Sequence, residues 1–308
     1  MPASSVKISV VIPCYNVEQY IERAIQSVID QEFYVDEIIC VNNNSSDRTV
    51  EIIEQILSKD NRIQLLHETR RGASYARNTG TTAAKGIYIQ YLDADDYLLP
   101  DKIKSQFPEN DFPDLIWGGC KRIDETSGAE QVFRPSQKVW SGLMRGEAGN
   151  TCANLWKREA VLAAGGWNTE QKSSQEYELM FRMLKNNAVV TVSNTTSTIV
   201  TLRQGSISTT NRSENLFRFL QLRAAIYRHV KSVHPEIFRQ ETAQLTQALF
   251  TAIRMAYPGN KAQVLGIYNE LIPAGFKPQP DAVTGKSYCL LYKLVGFTLT
   301  EKIKAWLR

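Results

Sequence analysis

The stretch that most limits what this chain can fold into runs from Arg71 to Pro100, RGASYARNTGTTAAKGIYIQYLDADDYLLP. It opens with a glycine-bounded helix. The run Ile87-Tyr88-Ile89-Gln90-Tyr91-Leu92 that follows has the length and the β-branched and aromatic content of an interior strand. That strand ends directly on Asp93-Ala94-Asp95-Asp96. Carboxylates are thereby delivered to a strand's C-terminal edge, where open α/β sheets bind their ligands. Crowded acids repel one another unless a proton or a cation relieves them. A hard divalent ion, Mn²⁺ or Mg²⁺, fits that need, because it takes one or two carboxylates and completes its shell with water and substrate phosphates. A solvated acidic turn is the plain alternative.

The residues before this stretch alternate in the same way. Ile8 to Ile12 reads as a strand stopped by Pro13. Val17, Ile21, Ala24, Ile25, Val28 and Ile29 recur at spacings of three and four and predict an amphipathic helix from Val17 to about Asp30. A strand over Glu37 to Val41 leads into Asn42-Asn43-Asn44-Ser45-Ser46-Asp47, residues that cap helices and tolerate left-handed backbone. A helix from Arg48 to Leu57 and a strand from Arg62 to Leu66 complete the pattern. Four strands alternating with three helices before residue 93 predict βαβ units and a parallel sheet.

After Pro100 the period weakens. A strand is expected over Asp114 to Gly118, no clear period over Phe133 to Trp140, and a loop at Gly165-Gly166-Trp167-Asn168. A helix over Ser173 to Lys185 and a β-rich stretch over Val189 to Leu202 follow. From Glu214 the chain reads as helices, about 214–232, 236–257 and 260–271, broken at Pro235 and Pro258-Gly259. The fold class is α/β with a helical C-terminal region, divided as residues 1–100, 101–210 and 211–308.

Charge and cysteine usage narrow the function. The formal net charge of +4 falls wholly within Lys286 to Arg308, so the rest of the chain is neutral. A neutral body without a basic, aromatic-interleaved stripe disfavours nucleic acid. The five cysteines form no CxxC or His/Cys cluster, which argues against structural zinc and fits a reducing, cytoplasmic setting. The N-terminal residues show no basic region followed by a sufficient apolar run, so no secretory leader is expected. No glycine-rich loop follows Ile12 and no G-x-G-x-x-G occurs, against a sugar-1-phosphate nucleotidyltransferase and a dinucleotide dehydrogenase.

The first strand with Pro13-Cys14-Tyr15-Asn16, the polar turn after the second strand, Ala76-Arg77-Asn78-Thr79-Gly80, and Tyr91-Leu92-Asp93-Ala94-Asp95-Asp96 together resemble glycosyltransferase family 2, over roughly residues 7 to 205. The resemblance implies the GT-A fold, a Rossmann-like, mostly parallel sheet flanked by helices. It makes residues 1–100 the nucleotide-sugar half and 101–210 the acceptor half. It implies an inverting, metal-dependent enzyme that moves one sugar from a nucleotide-diphosphate donor, a UDP-sugar at first guess, to a hydroxyl of a carbohydrate or lipid-linked acceptor. Cell-surface polysaccharide assembly is the implied setting. A degenerate member that binds donor or partner without turnover is the alternative.

Residue by residue, the resemblance assigns Asp95 to the metal, Asp93 to the ribose and the metal's waters, and Ala94 to the donor site. Pro13, Tyr15, Asn16 and Ser45 would line the base and ribose pocket. Tyr15 is otherwise a core aromatic, and Arg77, placed near the nucleotide, is otherwise a helix-surface ion pair. The family's downstream Glu-Asp becomes Gln175-Glu176 here, making Glu176 the general base, with Glu178 the competitor. The family's Asp-Asp-Gly-Ser turn reads Asn42-Asn43-Asn44-Ser45, so Asn43 would accept from the base through a neutral amide, and Asn44 would take the glycine's left-handed position. Arg203 is a candidate diphosphate ligand. In the tail, Thr300 would cap a helix with Ile303, Trp306 and Leu307 on one face and Lys302, Lys304 and Arg308 on the other. That composition suits docking on an anionic inner membrane leaflet. It equally suits packing on its own domain or on a second copy in a homo-oligomer.

Overall fold

The computed structural model describes residues 7–108, 110–202 and 211–307. The chain divides into two compact units, Met1–Ile207 and Ser208–Arg308.

In the first unit the expected alternation is present: β1 (Ile8–Cys14), α1 (Ile21–Ile29), β2 (Glu37–Asn42), α2 (Thr49–Leu57), β3 (Ile63–His67), α3 (Ala73–Ala83) and β4 (Tyr88–Tyr91). β1 lies parallel to both β2 and β4, and β2 parallel to β3. Every residue from Ile8 to Ile12 is fully buried. A strand covered by helices on both faces needs this continuous apolar run. Two boundaries differ from expectation. β1 runs on through Pro13, which pairs with Val41 of β2, while its ladder with β4 ends at Val11. Leu92 donates the last bond there, to Val11 O, and the next donor on that side would be the amide that proline lacks. α1 starts at Ile21, because Val17 to Tyr20 form a turn closed by Tyr20 N–H and Ile21 N–H on Val17 O.

The remaining strands are short, which is why periodicity missed most of them. β5 (Tyr97–Leu98), β6 (Leu115–Trp117), β7 (Cys120–Asp124), β8 (Glu130–Phe133), α4 (Val139–Arg145), β9 (Leu155–Lys157), α5 (Arg158–Ala163), α6 (Gln175–Lys185), β10 (Val190–Val192) and β11 (Thr198–Leu202) complete the first unit. Among the described residues, one sheet has the order β10-β6-β9-β4-β1-β2-β3, with β9 antiparallel to both neighbours. A smaller sheet has the order β5-β11-β7-β8. The large sheet's order reverses between β1 and β4, so the crevice outside their C-terminal ends is where this architecture binds ligands.

The second unit contains α7 (Arg212–Val233), α8 (Pro235–Ala256), α9 (Lys261–Leu271) and α10 (Lys286–Trp306). Pro235 starts α8 in the first helical turn, where its missing N–H costs nothing. Phe250 is fully buried, with its ring centroid 5.2–6.3 Å from those of Phe276, Tyr288, Tyr292 and Phe297. The tail differs from expectation. α10 begins at Lys286 and breaks at Gly296, whose φ of 72° and ψ of −179° only glycine adopts readily. Thr300 is buried inside it and donates to Gly296 O instead of capping a new helix.

Candidate active site

β4 and its acidic continuation are placed by the packing behind them. α3 lies so close to β1 that a Cβ on Gly80 would stand 2.3 Å from Val11 Cγ1. This approach presses Arg77, one turn earlier, into the crevice, where only 8% of its side chain is exposed. Arg77 donates to Asp93 Oδ1 at 2.6 Å and to Gln175 Oε1 at 3.0 Å, and its guanidinium lies 4.7 Å from the Trp167 ring centroid. Burial works against its charge, but Asp93, helped by Glu176, outweighs this and raises its pKa. The surface ion pair considered for Arg77 is replaced by a buried junction between β4's acids and the first turn of α6.

The three acids differ in surroundings. Asp96 is buried and accepts the Thr201 N–H at 2.9 Å, which ties the cluster to β11. Burial, then the charges of Asp93 and Asp95, push its pKa well above the ordinary carboxylate value. Ligand atoms of Asp93, Asp96 and Cys152 lie within 4.8 Å of one another. The Cys152 thiol is held protonated by burial and by the neighbouring acids, so that trio offers a hard cation little beyond its carboxylates. Asp95 is half-buried, and its carbonyl oxygen accepts from Arg23 at 2.7 Å. The crowding of carboxylates on this edge is what a divalent cation there would relieve, so the residues present fit such an ion.

Asn78 fixes the other side. Its amide accepts the Trp167 N–H at 2.7 Å and donates to Trp167 O at 2.8 Å. Gly166 has φ of 69°, and a Cβ there would sit 2.7 Å from Asn78 Oδ1. The Gly165-Gly166-Trp167 loop is thus laid directly on α3, carrying the start of α6 with it. Glu176 lies half-buried in that first turn. Glu178 is differently engaged, paired with Arg182, which also donates to Ala164 O and Gly166 O.

The remaining predicted residues line the β1 and β2 ends. Tyr15 is 42% exposed, not a core aromatic, with the Arg71 guanidinium 5.7 Å from its ring centroid. Asn16 has left-handed φ of 49° and accepts the Ser46 N–H, while Ser45 Oγ accepts the Asn16 N–H. Asn44 takes left-handed φ of 66°, as its glycine-like position requires. Asn43 behaves differently from a residue held out toward a ligand. It is buried, donates to Glu68 O and Arg70 O, and accepts the Gly72 N–H, so its amide shapes the loop before α3. In that loop Glu68, bound by Arg70 and Thr79, has its pKa lowered to about 2. Arg203 lies outside the described residues.

Two contributors went unnoticed in the sequence. Arg23 holds the Asp95 carbonyl and stacks 4.8 Å from the Tyr97 ring centroid. Cys152 Sγ accepts the Asp93 N–H at 3.2 Å. Arg23 sits on the polar face of an amphipathic helix, and Cys152 lies 59 residues from its partner, so neither carries a local signal.

Residues 9–160 match the family model "Glycosyl transferase family 2". The chain is 45% identical over 128 residues to the uncharacterized glycosyltransferase EpsJ of Bacillus subtilis, covering 42% of this chain and 37% of that protein. It is 31% identical over 158 residues to an uncharacterized glycosyltransferase of Haemophilus influenzae, covering 50% and 63% respectively. The chain thus spans between about a third and two thirds of these relatives' lengths. Among solved structures, S. aureus TarS in complex with UDP-GlcNAc aligns with a TM-score of 0.56 at 18% identity, over 85% of this chain and 84% of that one. Mannosyltransferase PcManGT from Pyrobaculum calidifontis, in complex with GDP-Man and Mn²⁺, aligns with a TM-score of 0.58 at 17% identity, over 85% and 78%. These likenesses carry the GT-A fold, and with the family match they lead to one conclusion: residues 9–160 of the chain belong to glycosyl transferase family 2.

Proposed function

We propose that the chain is an inverting, metal-dependent glycosyltransferase that moves one sugar from a nucleotide-diphosphate donor to a hydroxyl of a glycan or lipid-carried acceptor. The observation that carries this reading is the Arg77 junction. One buried guanidinium bridges Asp93 at the end of β4 and Gln175 at the start of α6, setting the donor edge and the candidate base in one frame. Asp95 would hold the ion, and a bound Mn²⁺ or Mg²⁺ would neutralise charge on the departing diphosphate. Asp93, oriented by Arg77, lies at the ribose. Pro13, Tyr15, Asn16 and Ser45 border the nucleoside, Tyr15 through an exposed ring able to stack. Asn43 acts through the loop it closes. Glu176 takes the proton of the acceptor hydroxyl as that oxygen attacks the anomeric carbon from the face opposite the leaving diphosphate.

We further propose that the outer face of α10, with Leu294, Leu299 and Trp306 exposed by 75%, 51% and 84% and lysines beside them, rests on an anionic bilayer. No helix among the described residues is long and apolar enough to cross one.

The catalytic reading is tested by turnover of UDP-glucose, UDP-GlcNAc and GDP-mannose with Mn²⁺. One of these donors is consumed by the wild type. Asp95→Ala and Glu176→Gln each lower its turnover by roughly a hundredfold or more, while Glu176→Gln retains donor binding. Unchanged turnover in both variants contradicts the mechanism. Binding without turnover in the wild type makes the chain a donor-binding protein.

A further inference from the structure

The second unit contains a cavity of about 1000 Å³ that shares no residue with the acidic cluster of the sheet. Five cations line it: Arg212, Arg254, Lys261, Lys302 and Lys304. The cavity's carboxylate, Glu301, is already committed. It accepts from Arg254 at 3.0 Å and from the Tyr288 hydroxyl at 2.7 Å, so Arg254 and Glu301 cancel within the wall. Among the described residues, no carboxylate comes within 4.0 Å of the charged nitrogens of Arg212, Lys261 or Lys302. Like charges gathered around one cavity without counter-charge raise its potential and favour an anion there.

The backbone adds to this. Arg212 and Ser213 belong to the first turn of α7, and Lys261 to that of α9, helices of 22 and 11 residues. Both first turns carry N–H groups with no helical acceptor, and both place the positive end of a helix dipole at the cavity. The two ends are held together by a close approach. A Cβ on Gly259 would lie 1.9 Å from Ser213 Oγ and 3.1 Å from its Cβ, so the connection before α9 runs close against the start of α7. Leu216, Met255 and Tyr257 give the cavity an apolar portion.

We propose that this cavity is a binding site for an organic phosphate, its phosphoryl group held by Arg212, Lys261, Lys302 and the two helix starts, and its apolar portion against Leu216 and Tyr257. Two sources share that chemistry, the head of an anionic lipid and a soluble phosphate ester.

The test uses the full chain in metal-free buffer, with inorganic pyrophosphate followed by titration calorimetry and phosphatidic acid–phosphatidylcholine vesicles followed by co-sedimentation. The Arg212→Glu/Lys302→Glu variant is compared with Lys231→Glu/Lys277→Glu, which makes the same charge change at exposed positions outside both the cavity lining and α10. Saturable binding is expected. The first variant weakens it at least about tenfold, and the second by less than about twofold. Cavity-dependent binding of vesicles identifies a lipid source, and cavity-dependent binding of pyrophosphate alone a soluble ester. Should the first variant not fold, Arg212→Gln/Lys302→Gln makes the same comparison. Equal weakening in both variants, or no saturable binding of either probe, overturns the proposal.

Discussion

At the residue scale, Arg77 governs how the acids of β4 and the first turn of α6 are held. Lysine keeps the charge but cannot reach two acceptors through one planar fork. Arg77→Lys is therefore expected to lower kcat/KM by roughly ten- to a hundredfold, through misplacement of Asp93 and of the α6 start. Steady-state kinetics on the best donor checks it. Lys102 offers a second measurement, independent of catalysis. Its ammonium is fully buried against the Gln90 side chain, and burial lowers its pKa to about 7 from 10.5. Between those values the unfolded chain holds a proton that the folded chain has released, so this group's contribution makes stability rise with pH, by at most about 1.4 kcal/mol per unit. Lys102→Met is expected to remove that slope, raising stability most at pH 7 and below. Urea unfolding at pH 6.5, 7.5 and 8.5 reads the difference between the two proteins. Positions were legible where a motif surrounded them, as for Asp95 just after β4 and Glu176 in the first turn of α6. Roles were not legible where they depended on what lies opposite. Asn43 turned out to shape a loop, and Cys152 receives the Asp93 amide from a distant segment.

Among the elements, α3 sets the register of everything in the crevice through its contact with β1 at Gly80. A methyl group there has no space, since Val11 is itself fully buried and cannot retreat. Gly80→Ala is expected to cost about 1–3 kcal/mol from overpacking, and to lower turnover by displacing Arg77 and Asn78 together. Thermal unfolding and turnover of the same variant check both effects. β1, β2, β4 and α1 could be read from hydrophobic period because the strands are buried along nearly their whole length and α1 buries one face. β6 falls within the strand expected over Asp114 to Gly118, but the stretch from there to residue 163 resisted that reading. β8 faces solvent along most of its length, and β9 is three residues long and inserts antiparallel between distant neighbours. No local period encodes a pairing of that kind. α10 shows the converse, a recognisable apolar run whose break at Gly296 depends on a single backbone conformation.

For the whole molecule, the distribution of charge matches the two proposed jobs, donor chemistry and bilayer docking. The sheet unit gathers acids at one edge, and the helical unit carries the chain's net positive charge near its end. Removing the tail would not isolate the second job, because Tyr288, Tyr292, Phe297 and the Arg254–Glu301 pair belong to that unit's core. Point changes on the exposed face do so. Leu294→Gln/Trp306→Gln is expected to abolish flotation with anionic vesicles while leaving the melting temperature within about 1–2 °C, as surface substitutions ordinarily do. Flotation equal to the wild type would remove the bilayer from the account.

The central claim, that the acids closing β4 hold a cation carrying the donor's diphosphate, is tested most directly by locating the ion. Crystals grown with UDP and Mn²⁺ and measured at the manganese absorption edge should show one anomalous peak within coordination distance of Asp95 and of the diphosphate oxygens, absent from Asp95→Ala crystals. A peak elsewhere, or bound UDP with no manganese beside it, would contradict the claim.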